Sequence, residues 1–344
     1  KQAVNPGGES LIVTRISILA CGIAQMLLSA VFLSWPIMAA ERVVFAGQSG
    51  VNALVAQVGI EKGFFEDQGI EIEHQMSRSG RASIDAVASG HADFGVATSP
   101  PLLAAIDRDL PLVIVALLSH GYSGKLIASN EYNELQHLED FKGKTIGVQV
   151  GTGVHTVFQM AIDRIGLADS DFDIRNVRVQ DMPAAMQGGE FDAVLGWEPG
   201  MRRIVEVGYG TEVVSVEDFE RLADVTAPFV LFTTRRSVAE RPEMVQQFIV
   251  AWAESQRYAW AEREDSIRHL RALLGDAFSH FDDKQLTELT YIYKYDRTVL
   301  SEADIDDIRN TGDFLFTRGR IATRPDLDTV INNAFAERAE QLLR

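Results

Sequence analysis

Phe94-Gly95-Val96-Ala97-Thr98-Ser99-Pro100-Pro101-Leu102-Leu103-Ala104-Ala105-Ile106 decides the fold class of this chain. Residues 94–97 form a short buried strand, and Thr98-Ser99-Pro100-Pro101 opens a helix through Leu102, Leu103 and Ile106. Proline in the first turn costs no hydrogen bond, because its missing N–H is one the helix could not have paired. Residues 112–118 follow as an unbroken apolar run, the pattern of a parallel strand covered on both faces. Strand, helix and strand in succession make a unit with a right-handed crossover.

The unit recurs on both sides. Upstream, residues 43–46 are a β-type run ending in the polar loop Gly47-Gln48-Ser49-Gly50. Asn52 is placed to cap a helix with Leu54, Val55 and Val58 on one face, and Gly63 suits its C-terminus. Residues 70–74 alternate as a strand, and 82–89 are helical up to Gly90. Downstream, residues 145–149 are a strand, and Gly151-Thr152-Gly153 leads into a helix striped by Val154, Val157, Phe158, Ala161 and Ile162. Strands at 174–179 and 193–196 alternate with helices at 183–187 and 199–207. After an apolar run at 229–233 the period becomes helical, at 244–260, 285–295, 302–316 and 327–343.

A length of 344 residues exceeds one average core, so two lobes are expected. The helical tail is too thin for a third domain and is expected to pack back on the first lobe. The predicted class is therefore α/β with two lobes. Residues 41–128 with 229–344 form lobe 1, residues 129–228 form lobe 2, and the chain crosses twice. Ligands of open α/β sheets bind beyond the carboxyl ends of the strands, so two facing lobes make a cleft.

A formal net charge of −17 repels phosphate backbones and anionic headgroups, which argues against nucleic-acid and membrane-surface partners. The single cysteine, Cys21, leaves the remainder without a disulfide, thiolate metal site or thiol nucleophile. Cys21 lies in the uncharged run 16–35, which Arg15 precedes and Pro36-Ile37-Met38-Ala39-Ala40 follows. Basic flank, apolar run and small residues form the pattern of a secretory signal over 1–40, with an uncleaved anchor as the alternative. The apolar run continues past Cys21, which is the reason not to take it as a lipoprotein site.

Six short runs recur in order. They are Glu61-Lys62-Gly63-Phe64-Phe65 with Gly69-Ile70-Glu71-Ile72; Ser89-Gly90-His91-Ala92-Asp93-Phe94; Pro100-Pro101-Leu102-Leu103-Ala104-Ala105; Leu138-Glu139-Asp140-Phe141-Lys142-Gly143-Lys144-Thr145-Ile146-Gly147-Val148; Gly151-Thr152; and Phe191-Asp192-Ala193-Val194-Leu195-Gly196-Trp197-Glu198-Pro199. In this order the chain resembles the substrate-binding proteins of the nitrate, taurine, alkanesulfonate and thiamine-pyrimidine group of ABC importers, well over residues 42–234 and loosely over the tail. The resemblance implies a hinged, type II-like periplasmic binding fold that closes on a solute and docks to an ABC permease and ATPase complex. A monomer without a cofactor is expected, and the seven histidines show no close metal-ligand spacing, so no metal is expected. Pyrimidine synthases of thiamine biosynthesis share the fold, but their cysteine-rich signature is missing.

Candidate ligand-binding residues follow from the cleft geometry and the resemblance. Thr152 opens a helix whose free N–H groups suit an anionic headgroup, and Ser49, Ser79 and Ser99 sit at loop-to-helix junctions; each is equally a plain cap. Trp197, at a strand end, is placed to stack on a flat ligand or to complete a core. Glu198 either favours the first turn of the next helix or counters an amine on the solute. His120 is the one histidine expected near the cleft. Gln48, Asn52, Tyr122 and Thr226 complete the set. Asp304, Asp306 and Asp307 look like a solvated helix face without the pattern of a calcium loop. Two other functions stay open: an enzyme acting on a small amide or pyrimidine in the same cleft, and a receptor docked to a signalling protein.

Overall fold

The computed structural model describes residues 40–344, together with Gln2. The predicted export segment, with Arg15, Cys21 and residues 16–35, lies outside the described residues apart from Gln2 and Ala40. No described helix is long and apolar enough to cross a membrane.

The strands, in chain order, are β1 (Glu41–Gln48), β2 (Ile70–Ser77), β3 (Phe94–Thr98), β4 (Leu112–Ser119), β5 (Gly124–Ser129), β6 (Thr145–Val148), β7 (Asp173–Asn176), β8 (Ala193–Trp197), β9 (Gly210–Val214) and β10 (Phe229–Thr234). They form two five-stranded sheets, ordered β2-β1-β3-β10-β4 and β7-β6-β8-β5-β9. The helices that position the site are α1 (Leu54–Glu61), α2 (Gly80–Ala88), α3 (Ser99–Ile106), α4 (Gly153–Arg164), α5 (Val216–Ala223), α6 (Pro242–Ala261), α7 (Glu302–Thr317) and α8 (Ala334–Leu342).

The α/β class and the two lobes hold, but the sheets are mixed. β10 lies between β3 and β4 and runs antiparallel to both, while β5 runs antiparallel to β8 and β9. These are the first strands the chain lays down after each crossing. A strand entering from the other lobe arrives at the end where its neighbours finish, so it must run against them. β4 is buried along its whole length, as its composition requires. Because β5 pairs within the second sheet, the first crossing falls at 119–124, ahead of the boundary expected at 128/129.

The tail helices pack on the first sheet's body. α6 lies against α1 and α8, and α7 lies against α3. In α6, Phe248 stacks on Phe94 with centroids 3.9 Å apart, and fully buried Trp252 meets the Phe45 ring. Truncating Phe248 to alanine would cost about 3–5 kcal/mol, the usual penalty for a buried aromatic. The helix expected at 285–295 stops at Thr290, and residues 291–300 instead run along the first crossing, where Lys294 and His120 exchange backbone hydrogen bonds. The two crossings touch: the Gly121 N–H donates to the Thr226 carbonyl at 2.8 Å.

Candidate functional site

Between the two sheets lies a cavity of about 150 Å³. Its walls are built where strands end: Gln48 closes β1, Thr98 closes β3, Gln149 follows β6 and Trp197 closes β8. Backbone groups and short polar side chains collect there because each parallel strand must turn into a helix at that edge.

The second lobe contributes the N-terminus of α4. Gly151, with φ of 80°, makes a left-handed turn that disfavours other residues. Thr152 caps the helix, its Oγ1 accepting from the His155 N–H at 3.4 Å and donating to the Gln149 carbonyl at 2.8 Å. Its first N–H groups, on Gly153 and Val154, have no carbonyl to pair with inside the helix, and both residues line the cavity. Behind them, the Gly151 N–H donates to Nδ1 of His155, whose burial lowers its pKa and favours the neutral ring that can accept this bond. Trp197 stands partly exposed at the end of β8 and forms another wall.

From the first lobe come Gln48, Asn52, Ser79 and Ser99. Ser79 caps α2 through Ala82 at 3.3 Å. Asn52 sits in a short helical turn ahead of α1 rather than capping it, and its Oδ1 is buried without a hydrogen-bond partner. The crossings supply Tyr122 and Ser123. Tyr122 is buried against the Phe219 ring of α5, which holds its phenol well above the usual range. The Ser123 hydroxyl lies 2.6 Å from that of Tyr293.

The structure thus brings Gln48, Asn52, Ser79, Ser99, Tyr122, Thr152 and Trp197 to one cavity. It places the other four candidates outside the wall. Ser49 is exposed on the loop, with its N–H on the Ser77 carbonyl. His120 faces away, its Nε2 3.0 Å from Asp296 and also in contact with Arg297. Thr226 is turned into the hinge, where it donates to Asp307. Glu198, just past the end of β8, is 2% exposed and does not line the cavity. Its Oε1 lies 3.1 Å from Lys125 Nζ and its Oε2 accepts the Arg202 N–H at 3.0 Å. It is a structural ion-pair partner because β5 sets Lys125 opposite Gly196, beside it.

The carboxylate that does line the cavity is Asp307 of α7, together with Thr311 one turn on. Of the three acids expected on a solvated face, only Asp306 is exposed: Asp304 and Asp307 are buried. Both oxygens of Asp304 accept from Nη2 of Arg297, at 2.9 and 2.8 Å. Asp307 Oδ2 accepts N–H groups from Thr226 and Ala227, at 2.5 and 2.8 Å, clamping the second crossing. The signal was periodicity: Asp304, Ile308, Thr311 and Leu315 form one buried stripe, and Asp307 adjoins it. Among the described residues no cluster of histidine, cysteine and acidic side chains could hold a metal ion.

A provisionally named binding protein of Brucella abortus (strain 2308) is 27% identical over 62% of this chain and 65% of its own length, so the chain spans just under two thirds of that relative. The taurine-binding periplasmic protein of Escherichia coli (strain K12) is 25% identical over 73% of this chain and 78% of that one. Among solved structures, the alkanesulfonate-binding protein SsuA of Xanthomonas axonopodis pv. citri, bound to MOPS, has the same fold, with TM-score 0.71 and 18% identity over 86% of this chain and 99% of that one. The NMT1/THI5-like profile matches residues 52–266, more than half of the sequence, and the chain therefore belongs to the NMT1/THI5-like family.

Proposed function

We propose that this protein is the periplasmic solute-binding component of an ABC importer, which captures a small polar or aromatic solute by hinge closure and delivers it to a permease. The observation that carries the proposal is the cavity of about 150 Å³ enclosed by strand ends of both lobes and bordered by both crossings. A hollow of that volume holds a single small ring or a short chain, comparable to the roughly 150 Å³ cavity that admits benzene. Its wall pairs aromatic and proline surface with polar groups, the composition of a small-molecule site. Related chains named for taurine and for sulfonates lend support.

The two lobes move as bodies about the paired crossings in this scheme, and closure is favoured by whatever fills the cleft. The protein works as a monomer, without cofactor or metal, and leaves the solute unchanged. The test is a thermal-shift screen across sulfonates, nitrate-like anions, pyrimidines and small aromatic acids, followed by small-angle scattering with any binder. A saturable shift, a smaller radius of gyration and recovery of intact solute are expected. Binding restricted to sugars or oligopeptides, or conversion of the solute, would overturn the proposal.

A further inference from the structure

Among the described residues the cavity wall contains one carboxylate, Asp307, and one cation, the exposed Arg81. Asp307 is 5% exposed, yet no lysine, arginine or histidine among the described residues pairs with it. Arg297, the nearby guanidinium, is committed to Asp304. The partners of Asp307 are neutral. Oδ2 takes the Thr226 and Ala227 N–H groups and the Thr226 hydroxyl at 3.2 Å, and Oδ1 has only the Thr311 hydroxyl at 3.2 Å. Burial is the largest influence on its acidity and raises its pKa against those hydrogen bonds. A buried carboxylate normally has a cation or is surrounded by donors.

Resting on the solute-binding proposal above, we infer that Asp307 is the specificity-determining residue for a compact solute bearing an amine or another N–H donor. The opposite, anionic or polar end then meets the N–H groups at the start of α4. The solute class is a small zwitterion or an amino-substituted ring. A bare anion would instead bring like charge toward a desolvated carboxylate, which weakens binding on the order of a hundredfold at protein dielectric.

Matched pairs test this without knowledge of the natural solute: taurine against ethanesulfonate, and 4-aminopyrimidine against pyrimidine, by isothermal titration of the full chain. The amino member of at least one pair should bind about tenfold or more tightly than its partner, the scale of a hydrogen bond to a charged group. Asp307→Asn, which keeps the shape and an acceptor for the hinge N–H groups, should collapse that gap. Equal affinities within both pairs overturn the inference and leave solute binding standing. A gap that persists in a folded Asp307→Asn protein also overturns it. If that variant does not fold, the wild-type gap alone decides. Folded wild-type protein that binds none of these probes and nothing in the wider screen overturns both proposals.

Discussion

Gly153 and Thr98 face each other across the cleft so closely that a Cβ on Gly153 would lie 2.5 Å from Thr98 Oγ1. One residue starts α4 in the second lobe and the other ends β3 in the first. Alanine suits the helix itself, so the obstacle lies entirely in the opposing lobe. Gly153→Ala should therefore weaken solute binding by about 1–3 kcal/mol, the usual cost of overpacking, while leaving the unliganded melting temperature unchanged. Scattering from the saturated variant should give a larger radius of gyration than wild type. Wild-type affinity and compaction together would mean that this contact does not limit closure.

Trp197 stands at the end of β8 with its ring in the cavity wall. If it stacks on the solute, Trp197→Ala costs about 1–3 kcal/mol of binding. The variant should melt with wild type, because the ring is only partly buried. Titration calorimetry paired with a thermal melt separates the two effects, and a lower melting point with unchanged affinity would make Trp197 a core residue.

Glu198 predicts the reverse. Its carboxylate is buried against Lys125, which also holds Glu212 at 2.8 Å. Glu198→Gln leaves Lys125 with a single carboxylate partner, so unfolding free energy should fall by about 1–3 kcal/mol. Solute affinity should stay within a factor of about two, since Glu198 does not line the cavity. Urea titration and calorimetry on one preparation check both, and a large affinity loss at wild-type stability would return Glu198 to the binding site.

Acid stability turns on His74. Its ring packs on Phe45 with centroids 5.2 Å apart, its Nε2 has no hydrogen-bond partner, and burial pulls its pKa down from 6.5 to about 4. Between those values the unfolded chain binds a proton that the folded chain does not. The neutral ring is therefore no handicap above pH 6.5, and stability is lost progressively as pH falls toward 4. This amounts to about 3 kcal/mol at the acid end. Urea unfolding at neutral and acid pH should show wild type losing that much more than His74→Phe. Parallel losses in the two proteins would assign the acid sensitivity to other groups.

Much of this architecture was legible in residue order. Periodicity located the strands and most helices, because one-sided burial imposes it. Strand direction was not legible: residues 229–233 are equally apolar whether they run with or against β3, and only the point of entry settles it. At the site, small polar residues at strand ends were readable because each strand must turn into a helix there. Glu198 misled because its partner Lys125 is chosen by strand register, which local sequence does not encode. Asp307 was missed because three acids close together suggest solvent by charge count, whereas the stripe through Ile308 and Leu315 turns two of them inward.

The hydrogen bond from Gly121 to Thr226 means that the second lobe leaves and rejoins the first through one seam. In topological terms residues 122–225 are an insertion, and an insertion whose ends adjoin is a cassette. Two relatives can trade it by matching a single pair of neighbouring backbone ends. Gln149, Thr152 and Trp197 would travel with the cassette, while Asn52 and Asp307 would stay behind. Recognition in such a chain is inherited in halves, one set of contacts from each parent of the chimera.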